Sequence, residues 1–378
     1  MIRIKRKSRI DRIIFARRKA IRQILKNVKG CSLNVDVDDL NDYVIQLLEV
    51  GGVKKSNSNE KDVITYKKEY GERGKYGETR ALLSELRAIF ETANNMGELY
   101  PEWELCNRYI SIINNIVDTE KMSLAQLDFM LTERCTLKCR DCLNLMQYYK
   151  HPQNFSLENI SRDLQSLGRC FGEIEELHIL GGEPLISPFF YKVCQMALSL
   201  KNVKSVVVFT NATIVPKRED LELIKNVIFY LSDYGNERQK INEFSEVLDE
   251  VGISYYIQEF ENQKWLSGYE IKQYDTNLEI VNGLFSRCAG KACPTVANGS
   301  LFYCEFLANA TSLRAVPEHH GNGLDLLEST AQDVVKYMLN ENAPNGCLYC
   351  SRLYDMKKSN LVNAAIQTDT PLEYIEYR

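Results

Sequence analysis

The sequence predicts an α/β fold, a partial (β/α)6 barrel of the TIM type, preceded by a mainly helical region and followed by a small cysteine-rich extension. Two observations lead to this fold class. Short apolar runs alternate with helical patterns after residue 125, as they do in repeated βα units that build a parallel sheet. Polar motifs come directly after the predicted strands, which is where ligands bind in such sheets.

Composition and charge exclude several classes of protein. The chain has 378 residues, of which 44% are hydrophobic and 26% charged, values that are ordinary for a soluble globular protein. The net charge of −4 argues against nucleic acid as a partner. No apolar run approaches the roughly 20 residues that span a bilayer, so we expect no transmembrane segment. We find no export signal and expect a cytoplasmic protein whose twelve cysteines are reduced.

Residues 1–122 form the predicted N-terminal region. Residues 1–30 are basic, and their apolar residues recur at the spacing of an amphipathic helix. Two further helical patterns, at 79–96 and 102–122, follow a polar, glycine-rich loop at 51–78. The basic helix either contacts an acidic partner or lipid surface or packs on the main domain, and we favour packing because most amphipathic helices are half-buried. Recognition of a substrate or partner is one interpretation of this region.

Predicted strands and helices alternate within residues 123–280, the range assigned to the barrel. Parallel strands need crossover connections, which are usually helices, so this alternation predicts a parallel sheet. The predicted strands are 127–131, 176–180, 205–210, 227–232 and 253–257, and the predicted helices are 156–170, 188–200, 218–226 and 237–251.

A polar motif lies at the end of each of the first four strands. Three cysteines follow the first strand, and Gly-Gly-Glu-Pro at 181–184 follows the second. Asn211 ends the third strand and Ser232 ends the fourth. Because the carboxyl ends of parallel strands lie at one edge of a sheet, the four motifs are predicted to converge on one face.

Cys135, Cys139 and Cys142 follow the first strand with the spacing C-x3-C-x2-C. Isolated cysteines are usually buried hydrophobic residues, whereas cysteines clustered at such short spacings more often bind metal. A closed structural zinc site needs four ligands, and the next cysteine, Cys170, falls on a predicted helix. Three thiolates leave one coordination position open, and an open position is typical of a site that performs chemistry.

With this spacing after the first strand of a βα series, the sequence resembles the radical SAM superfamily. The resemblance implies that the three cysteines bind three irons of a [4Fe-4S] cluster, and that S-adenosyl-L-methionine chelates the fourth iron through its amino and carboxylate groups. It implies reductive cleavage of this cofactor to methionine and a 5′-deoxyadenosyl radical, which abstracts a hydrogen atom from a substrate. It also implies a reductant such as flavodoxin or ferredoxin.

The motif at 181–184 strengthens the resemblance. Gly181 and Gly182 let a ligand approach the backbone without a Cβ in the way, and Glu183 can accept charge-assisted hydrogen bonds from an ammonium group. The resemblance places the methionyl amino group of the cofactor at this motif, which Pro184 completes. Alone the motif is typical of a tight turn, but the cysteines about forty residues upstream make it a predicted cofactor site.

Two more residues are candidates for binding the same cofactor. The resemblance places Asn211 and Ser232 near the carboxylate or ribose of S-adenosyl-L-methionine, although asparagine after a strand is also a common turn residue. Asp233 and Tyr234 are candidates for facing the substrate instead. Asp141 is a departure, since the family often has an aromatic residue there that stacks on adenine.

Five cysteines form a second group within residues 281–378. A C…G-x4-C element around Gly299, followed by a C-x-x-C pair, resembles the SPASM or twitch extension of radical SAM enzymes, and its middle is typical of a hairpin. The resemblance implies one auxiliary [4Fe-4S] cluster held by Cys288, Cys293, Cys304 and either Cys347 or Cys350. The alternative is a structural zinc site formed by the last four of these cysteines.

The substrate is open between two classes. Relatives with such an extension often modify ribosomally made peptides or mature sulfatases, so a peptide or protein substrate is favoured. The segments CRDCLN and SDY also resemble proteins of carbohydrate or cell-surface polysaccharide modification, which implies epimerisation or dehydrogenation at a sugar carbon. A hypothesis of another class is a non-enzymatic zinc-binding protein.

Overall fold

A computed structural model describes residues 2–3 and 121–377, apart from 261–263, 267–269, 275–276, 286–287, 318–320, 339, 341 and 351–360. The chain divides into two compact units, and nearly all described residues belong to the unit that contains Gln126–Arg378. In the other unit, Ile2–Arg3 is a short strand. The helices predicted within residues 1–120 lie outside the described residues, and the three predicted domain ranges stay predictions.

The predicted alternation of strands and helices is confirmed from residue 122 to residue 259. The helix Leu157–Cys170 begins after Ser156, whose hydroxyl accepts a hydrogen bond from the Asn159 N–H, and the helix Ile241–Val251 ends at Gly252 with a positive φ of 83°. The strands are β1 (Met122–Met130), β2 (Phe171–Leu180), β3 (Val203–Thr210), β4 (Ile228–Asp233) and β5 (Ser254–Glu259). The helices are α1 (Leu157–Cys170), α2 (Phe190–Leu198), α3 (Arg218–Leu221) and α4 (Ile241–Val251).

Shorter elements follow in the C-terminal part. The hairpin predicted around Gly299 is confirmed: Asn298 and Gly299 both have positive φ, 44° and 90°, as a two-residue hairpin turn requires. The elements are β6 (Lys264–Leu266), α5 (Leu278–Phe285), β7 (Thr295–Ala297), β8 (Ser300–Phe302), α6 (Glu305–Ser312), β9 (Leu324–Asp325), α7 (Ala331–Met338) and β10 (Leu361–Asn363).

Eight strands follow one another in a single sheet, in the order β5-β4-β3-β2-β1-β7-β8-β9. The pairs β2–β3, β3–β4, β4–β5 and β1–β7 are parallel, whereas β8 and β9 are added antiparallel. The fold is therefore α/β with a mostly parallel sheet, and the C-terminal strands continue that sheet. Closure of the sheet into a barrel stays a prediction.

Alternation along the strands gives the sheet two different faces. Leu177 and Ile179 of β2 are fully buried on one face, as the apolar run predicts. His178 points to the opposite face, where it meets Asp128 of β1 and Glu176 of β2. The apolar face supplies the core, and the polar face leads toward the strand ends that carry the motifs.

None of the helices that the structure describes is long and apolar enough to cross a membrane.

Candidate functional site

The three predicted cluster cysteines lie on one loop after β1, here called the cysteine loop (residues 132–145). The Cys142 N–H donates to the Cys139 carbonyl at 3.2 Å, which folds the loop back on itself. Burial raises the pKa of all three thiols. The charge of Cys142 adds to the effect of burial at Cys139, whose pKa rises to about 12. The charges of Cys139 and Cys142 likewise raise the pKa of Cys135. The thiols are thus close enough for their charges to interact, and deprotonating them together needs a compensating cation.

Gly181 and Gly182 follow β2 and pack against the backbone of the cysteine loop. The Gly182 N–H donates to the Thr132 carbonyl at 2.9 Å, and the Glu183 N–H donates to the Arg134 carbonyl at 2.8 Å. A Cβ on Gly182 would lie 2.2 Å from the Arg134 oxygen, and Gly181 has a φ of +144°. The sequence suggests glycines that make room for a ligand. In the structure, the neighbour that requires them is the cysteine loop itself.

Glu183 is fully buried, and its carboxylate joins the ends of β2 and β3. It accepts hydrogen bonds from the Thr210 hydroxyl (2.8 Å), the Asn211 N–H (2.8 Å) and the Leu185 N–H (3.2 Å). Burial raises the pKa of Glu183 to about 7, although these three donors oppose the shift. Pro184 begins the 3-10 turn that places the Leu185 donor. Glu183 therefore fixes the loop 181–184 against β3.

Asn211 brings the end of β3 to the cysteine loop. Its Nδ2 donates to the Thr136 hydroxyl at 3.1 Å and to the Cys135 sulfur at 3.5 Å. Its Oδ1 accepts a hydrogen bond from the Thr213 N–H at 3.1 Å, which holds the amide in place. The structure thus puts Asn211 next to a predicted cluster ligand.

Ser232 and Tyr234, at the end of β4, lie on the same side as the cysteines. Ser232 is buried and hydrogen-bonds to the Tyr234 side chain. Burial raises the pKa of the Tyr234 phenol, and the nearby thiols of the cysteine loop raise it further. Tyr234 packs edge-on against Trp265 of β6, with ring centroids 5.4 Å apart. Tyr234, proposed from sequence only as a residue facing substrate, is therefore a neighbour of all three cysteines.

A segment near the C terminus also reaches the cysteine loop, and sequence reasoning missed it. Gln367 forms an antiparallel bridge with Cys139, and its Nε2 donates to the Cys139 sulfur at 3.1 Å. The two residues are 228 positions apart, and no spacing or periodicity in the sequence connects them.

Four of the five C-terminal cysteines lie together. Burial raises the pKa of the Cys304 thiol well above its ordinary value, and the charges of Cys288, Cys350 and Cys347 raise it further. The pKa of Cys347 is raised in the same way, by burial and then by Cys350 and Cys288. These four buried or half-buried thiols form what we call the auxiliary group.

Cys293 differs from these four cysteines. Its sulfur accepts a hydrogen bond from Nε2 of Gln126, on β1, at 3.1 Å. The charges of Cys288, Cys347 and Cys350 thus act on Cys304, whereas the sequence favoured Cys293 and one of the last pair as ligands, and the ligand set stays a prediction.

The donor sets fit an iron–sulfur cluster. Both groups consist of cysteine sulfurs, the usual ligands of such clusters. Among the described residues, no three His, Cys, Asp or Glu side chains are arranged to hold one metal ion. A single zinc ion would draw its thiolates to about 3.8 Å from one another, since each Zn–S bond is about 2.3 Å. In a cuboidal cluster, each thiolate binds a different iron.

Asn144 supplies an unused acceptor beside the cysteines. Its Nδ2 donates to the Gly181 carbonyl at 3.2 Å, which fixes the orientation of the amide. Its Oδ1 is buried and has no hydrogen-bond partner within the described part of the chain. A buried amide oxygen without a donor is costly, so this atom fits a ligand that carries an amino group.

Comparison with known proteins finds a family match for the central part of the chain. Residues 129–236 match the family model of the Radical SAM superfamily. The chain is 29% identical over 89 residues to GTP 3′,8-cyclase of Alkaliphilus oremlandii (strain OhILAs), which is 23% of this chain and 27% of that protein. It is 26% identical over 100 residues to GTP 3′,8-cyclase 1 of Pseudomonas aeruginosa, 26% of this chain and 29% of that one. The chain thus spans somewhat more than a quarter of the length of these relatives.

Solved structures with a partial likeness have low sequence identity. BtrN in complex with AdoMet and 2-DOIA has a TM-score of 0.40 and 13% identity, covering 66% of this chain and 97% of BtrN. A tagged form of anSMEcpe with bound AdoMet has a TM-score of 0.40 and 12% identity, covering 66% and 89%. SuiB of Streptococcus suis has a TM-score of 0.32 and 17% identity, covering 55% and 53%.

Proposed function

We propose that this protein, whose residues 129–236 form a radical SAM superfamily domain, is an enzyme that cleaves S-adenosyl-L-methionine reductively and abstracts a hydrogen atom from a substrate. One observation carries the proposal. Three mutually interacting thiols lie on the loop after β1, and that loop packs against the glycine pair after β2. No other described loop combines three cysteines with such a contact.

Each predicted site residue has a role in this proposal. Cys135, Cys139 and Cys142 ligate three irons of a [4Fe-4S] cluster and leave the fourth iron for the cofactor. The loop 181–184, fixed by Glu183, presents its backbone to the methionyl end, and the free Oδ1 of Asn144 accepts a hydrogen bond from the amino group. Asn211 and Ser232 line the side that receives the carboxylate and ribose.

When bound and supplied with one electron from a reductant such as flavodoxin or ferredoxin, the cluster and S-adenosyl-L-methionine provide the 5′-deoxyadenosyl radical. The protein's own residues position the reaction and exclude water. Leu137 and Cys139 are buried together with Ala365, and Tyr234 and Trp265 pack against this small core. This apolar cover shields the thiolate ligands from solvent, which protects a reactive site.

The auxiliary group is proposed to hold a second [4Fe-4S] cluster through Cys288, Cys304, Cys347 and Cys350. Four converging thiols complete the coordination of a four-iron cluster without a further ligand. The alternative is a zinc site formed by Cys293, Cys304, Cys347 and Cys350, in which Gln126 would donate to a ligand sulfur as Gln367 does at Cys139. Measured iron and zinc contents decide between the two.

The proposed substrate is a peptide or protein, modified in a cytoplasmic reaction. The support is the C-terminal extension, whose cysteine pattern resembles that of peptide-modifying and sulfatase-maturing enzymes. A small precursor peptide encoded beside this gene would support this class. Neighbouring glycosyltransferase genes would favour a carbohydrate substrate instead.

The function can be tested with a triple variant, Cys135→Ala, Cys139→Ala and Cys142→Ala. Anaerobically purified wild-type protein, reduced and given S-adenosyl-L-methionine, is expected to release 5′-deoxyadenosine. The triple variant is expected to release none, because no cluster remains to deliver the electron. Product is quantified by chromatography after a fixed incubation.

Cys170→Ala is the matched control for this experiment. Cys170 is fully buried in α1, and its thiol donates to the Ser329 carbonyl at 3.4 Å. Its removal is expected to leave 5′-deoxyadenosine production near the wild-type rate. Cofactor cleavage by the triple variant would refute the assignment of this site.

A further inference from the structure

The side-chain amide of Gln367 is held on both of its polar atoms. Its Nε2 donates to the Cys139 sulfur at 3.1 Å and to the Ala365 carbonyl at 2.8 Å. Its Oε1 accepts a hydrogen bond from the Lys138 N–H at 2.8 Å. Exchanging the nitrogen and oxygen would set the oxygen against a carbonyl and the nitrogen against an N–H, so these contacts determine the orientation of the amide. An N–H therefore points at the Cys139 sulfur.

Backbone hydrogen bonds on both sides of Gln367 fix its position. The Arg140 N–H donates to the Ile366 carbonyl at 2.7 Å, and the Thr368 N–H donates to the Lys138 carbonyl at 2.8 Å. Through these bonds, residues 366–368 pair with the cysteine loop like two antiparallel strands. The amide is thus preorganised by main-chain contacts that do not depend on its own side chain.

Each cysteine of the loop has an N–H donor, but the donors have different origins. Backbone N–H groups of Asn144 and Met146 lower the pKa of Cys142, so they act within the loop itself. Asn211 reaches Cys135 from β3 at the longer distance of 3.5 Å. Gln367 reaches Cys139 from the C-terminal segment at 3.1 Å. Of these side-chain donors, the Gln367 amide is the closer.

We propose that Gln367 is a positioning residue that stabilises negative charge on the Cys139 sulfur and thereby raises the reduction potential of the cluster at the cysteine loop. This inference rests on the proposed function, because it treats Cys139 as a cluster ligand. Reduction adds an electron whose charge spreads onto the ligand sulfurs, so an N–H···S bond is stronger in the reduced state. Hydrogen bonds to sulfur are among the factors that set cluster potentials, and burial of Cys139 strengthens this one.

Two variants separate this role from simple anchoring. Gln367→Leu removes both the donor and the acceptor. Gln367→Glu keeps an oxygen for the Lys138 N–H but replaces the N–H that faces sulfur with a carboxylate oxygen. Gln195→Leu, at an exposed position on α2, is the matched control.

The readout is the midpoint potential of the cluster, from an anaerobic titration followed by electron paramagnetic resonance. The signal that changes when S-adenosyl-L-methionine is added belongs to the cysteine loop. Loss of one charge-strengthened hydrogen bond is expected to shift the reduction equilibrium about tenfold toward the oxidised cluster. This corresponds to about 59 mV for one electron, with an equal or larger shift for Gln367→Glu. Gln195→Leu is expected to keep the wild-type potential.

The outcomes distinguish this inference from the proposed function. If the wild-type protein holds no reducible iron–sulfur cluster, both the proposed function and this inference are wrong. A cluster whose potential is the same in wild type and in both variants, at equal iron content, would overturn the inference alone. If Gln367→Leu fails to assemble the cluster, Gln367→Glu decides, because it retains the acceptor that anchors the segment.

Discussion

His178 lies between two carboxylates on the polar face of the sheet. Its ring nitrogens are 3.0 Å from Asp128 Oδ1 and 3.0 Å from Glu176 Oε2. Burial alone would lower the pKa of His178, but the hydrogen bonds to Asp128 and Glu176 outweigh it and raise the pKa to about 9. The imidazolium thus stabilises the fold at neutral pH, and this contribution is lost as the pH rises through about 9.

Removing the His178 imidazolium should lower the stability of the fold, because Asp128 would stay buried without its charged partner. We expect His178→Leu to lower the free energy of unfolding by about 3 kcal/mol. The double variant His178→Leu and Asp128→Leu should recover much of that loss, since an apolar pair of similar volume often replaces a buried ion pair at little cost. Urea unfolding at pH 7 measures both. A double variant as unstable as the single one would show that the charge pair is not what stabilises this face.

At the scale of elements, strands with their own apolar runs could be predicted and pairings between distant segments could not. The strands β3, β4 and β5 were found within a few residues because each is a local run of β-branched and aromatic residues. The first half of β2 was missed. Its sequence FGEIE lacks such a run, and it is a strand because Ile174 pairs with Val203 of β3.

The same distinction holds for the candidate site: short local motifs could be predicted from the sequence, and contacts between distant segments could not. The cysteine loop and the glycine pair could be recognised because each is a short motif at a strand end. The approach of Gln367 depends on the pairing of β10 with β6, whose residues lie about a hundred positions apart and carry no shared pattern. Spacing alone does not distinguish Cys293 from the other four C-terminal cysteines, so the ligand set of the second group stays a prediction.

A buried carboxylate links α1 to the hairpin between β7 and β8. Asp163 accepts a hydrogen bond from the Gly299 N–H at 3.0 Å. Burial raises the pKa of Asp163 to about 6, although the Gly299 N–H opposes the shift. The unfolded chain loses this proton near pH 4 and the folded protein only near pH 6, so ionisation destabilises the fold as the pH rises through that window.

Asp163→Asn cannot ionise and should remove this pH dependence. We expect the free energy of unfolding of the variant, relative to wild type, to increase by about 1 kcal/mol between about pH 5 and pH 7.5. Asp333→Asn is the control without pH dependence in this window, because hydrogen bonds from Thr330 lower the pKa of the exposed Asp333, which is ionised at both pH values. Urea unfolding at both pH values gives the differences. If the difference in free energy of unfolding between Asp163→Asn and wild type stays constant with pH, the Asp163 carboxyl does not titrate in this window.

At the scale of the whole described unit, the two cysteine groups share one hydrophobic core. Cys347 and Cys350 are buried in a cluster that includes Met130, Phe306 and Leu307. Cys135 and Cys142 of the cysteine loop and Cys288 and Cys304 of the auxiliary group pack against the same cluster. The auxiliary group and the cysteine loop therefore pack on the same apolar residues.

The metal content of the two groups gives the final prediction. Wild-type protein should hold about eight irons, four in each proposed cluster. Cys304→Ala with Cys347→Ala should reduce this to about four and lower the thermal midpoint, while 5′-deoxyadenosine production remains detectable because the cysteine loop is intact. Cys293→Ala should keep about eight irons, because Cys288, Cys304, Cys347 and Cys350 already supply the four ligands of the proposed second cluster. Elemental analysis of the three proteins measures iron and zinc together. If Cys293→Ala loses iron, Cys293 is a cluster ligand, as the sequence favoured. If the wild-type protein holds one zinc and only about four irons, the auxiliary group is a structural zinc site and holds no second cluster.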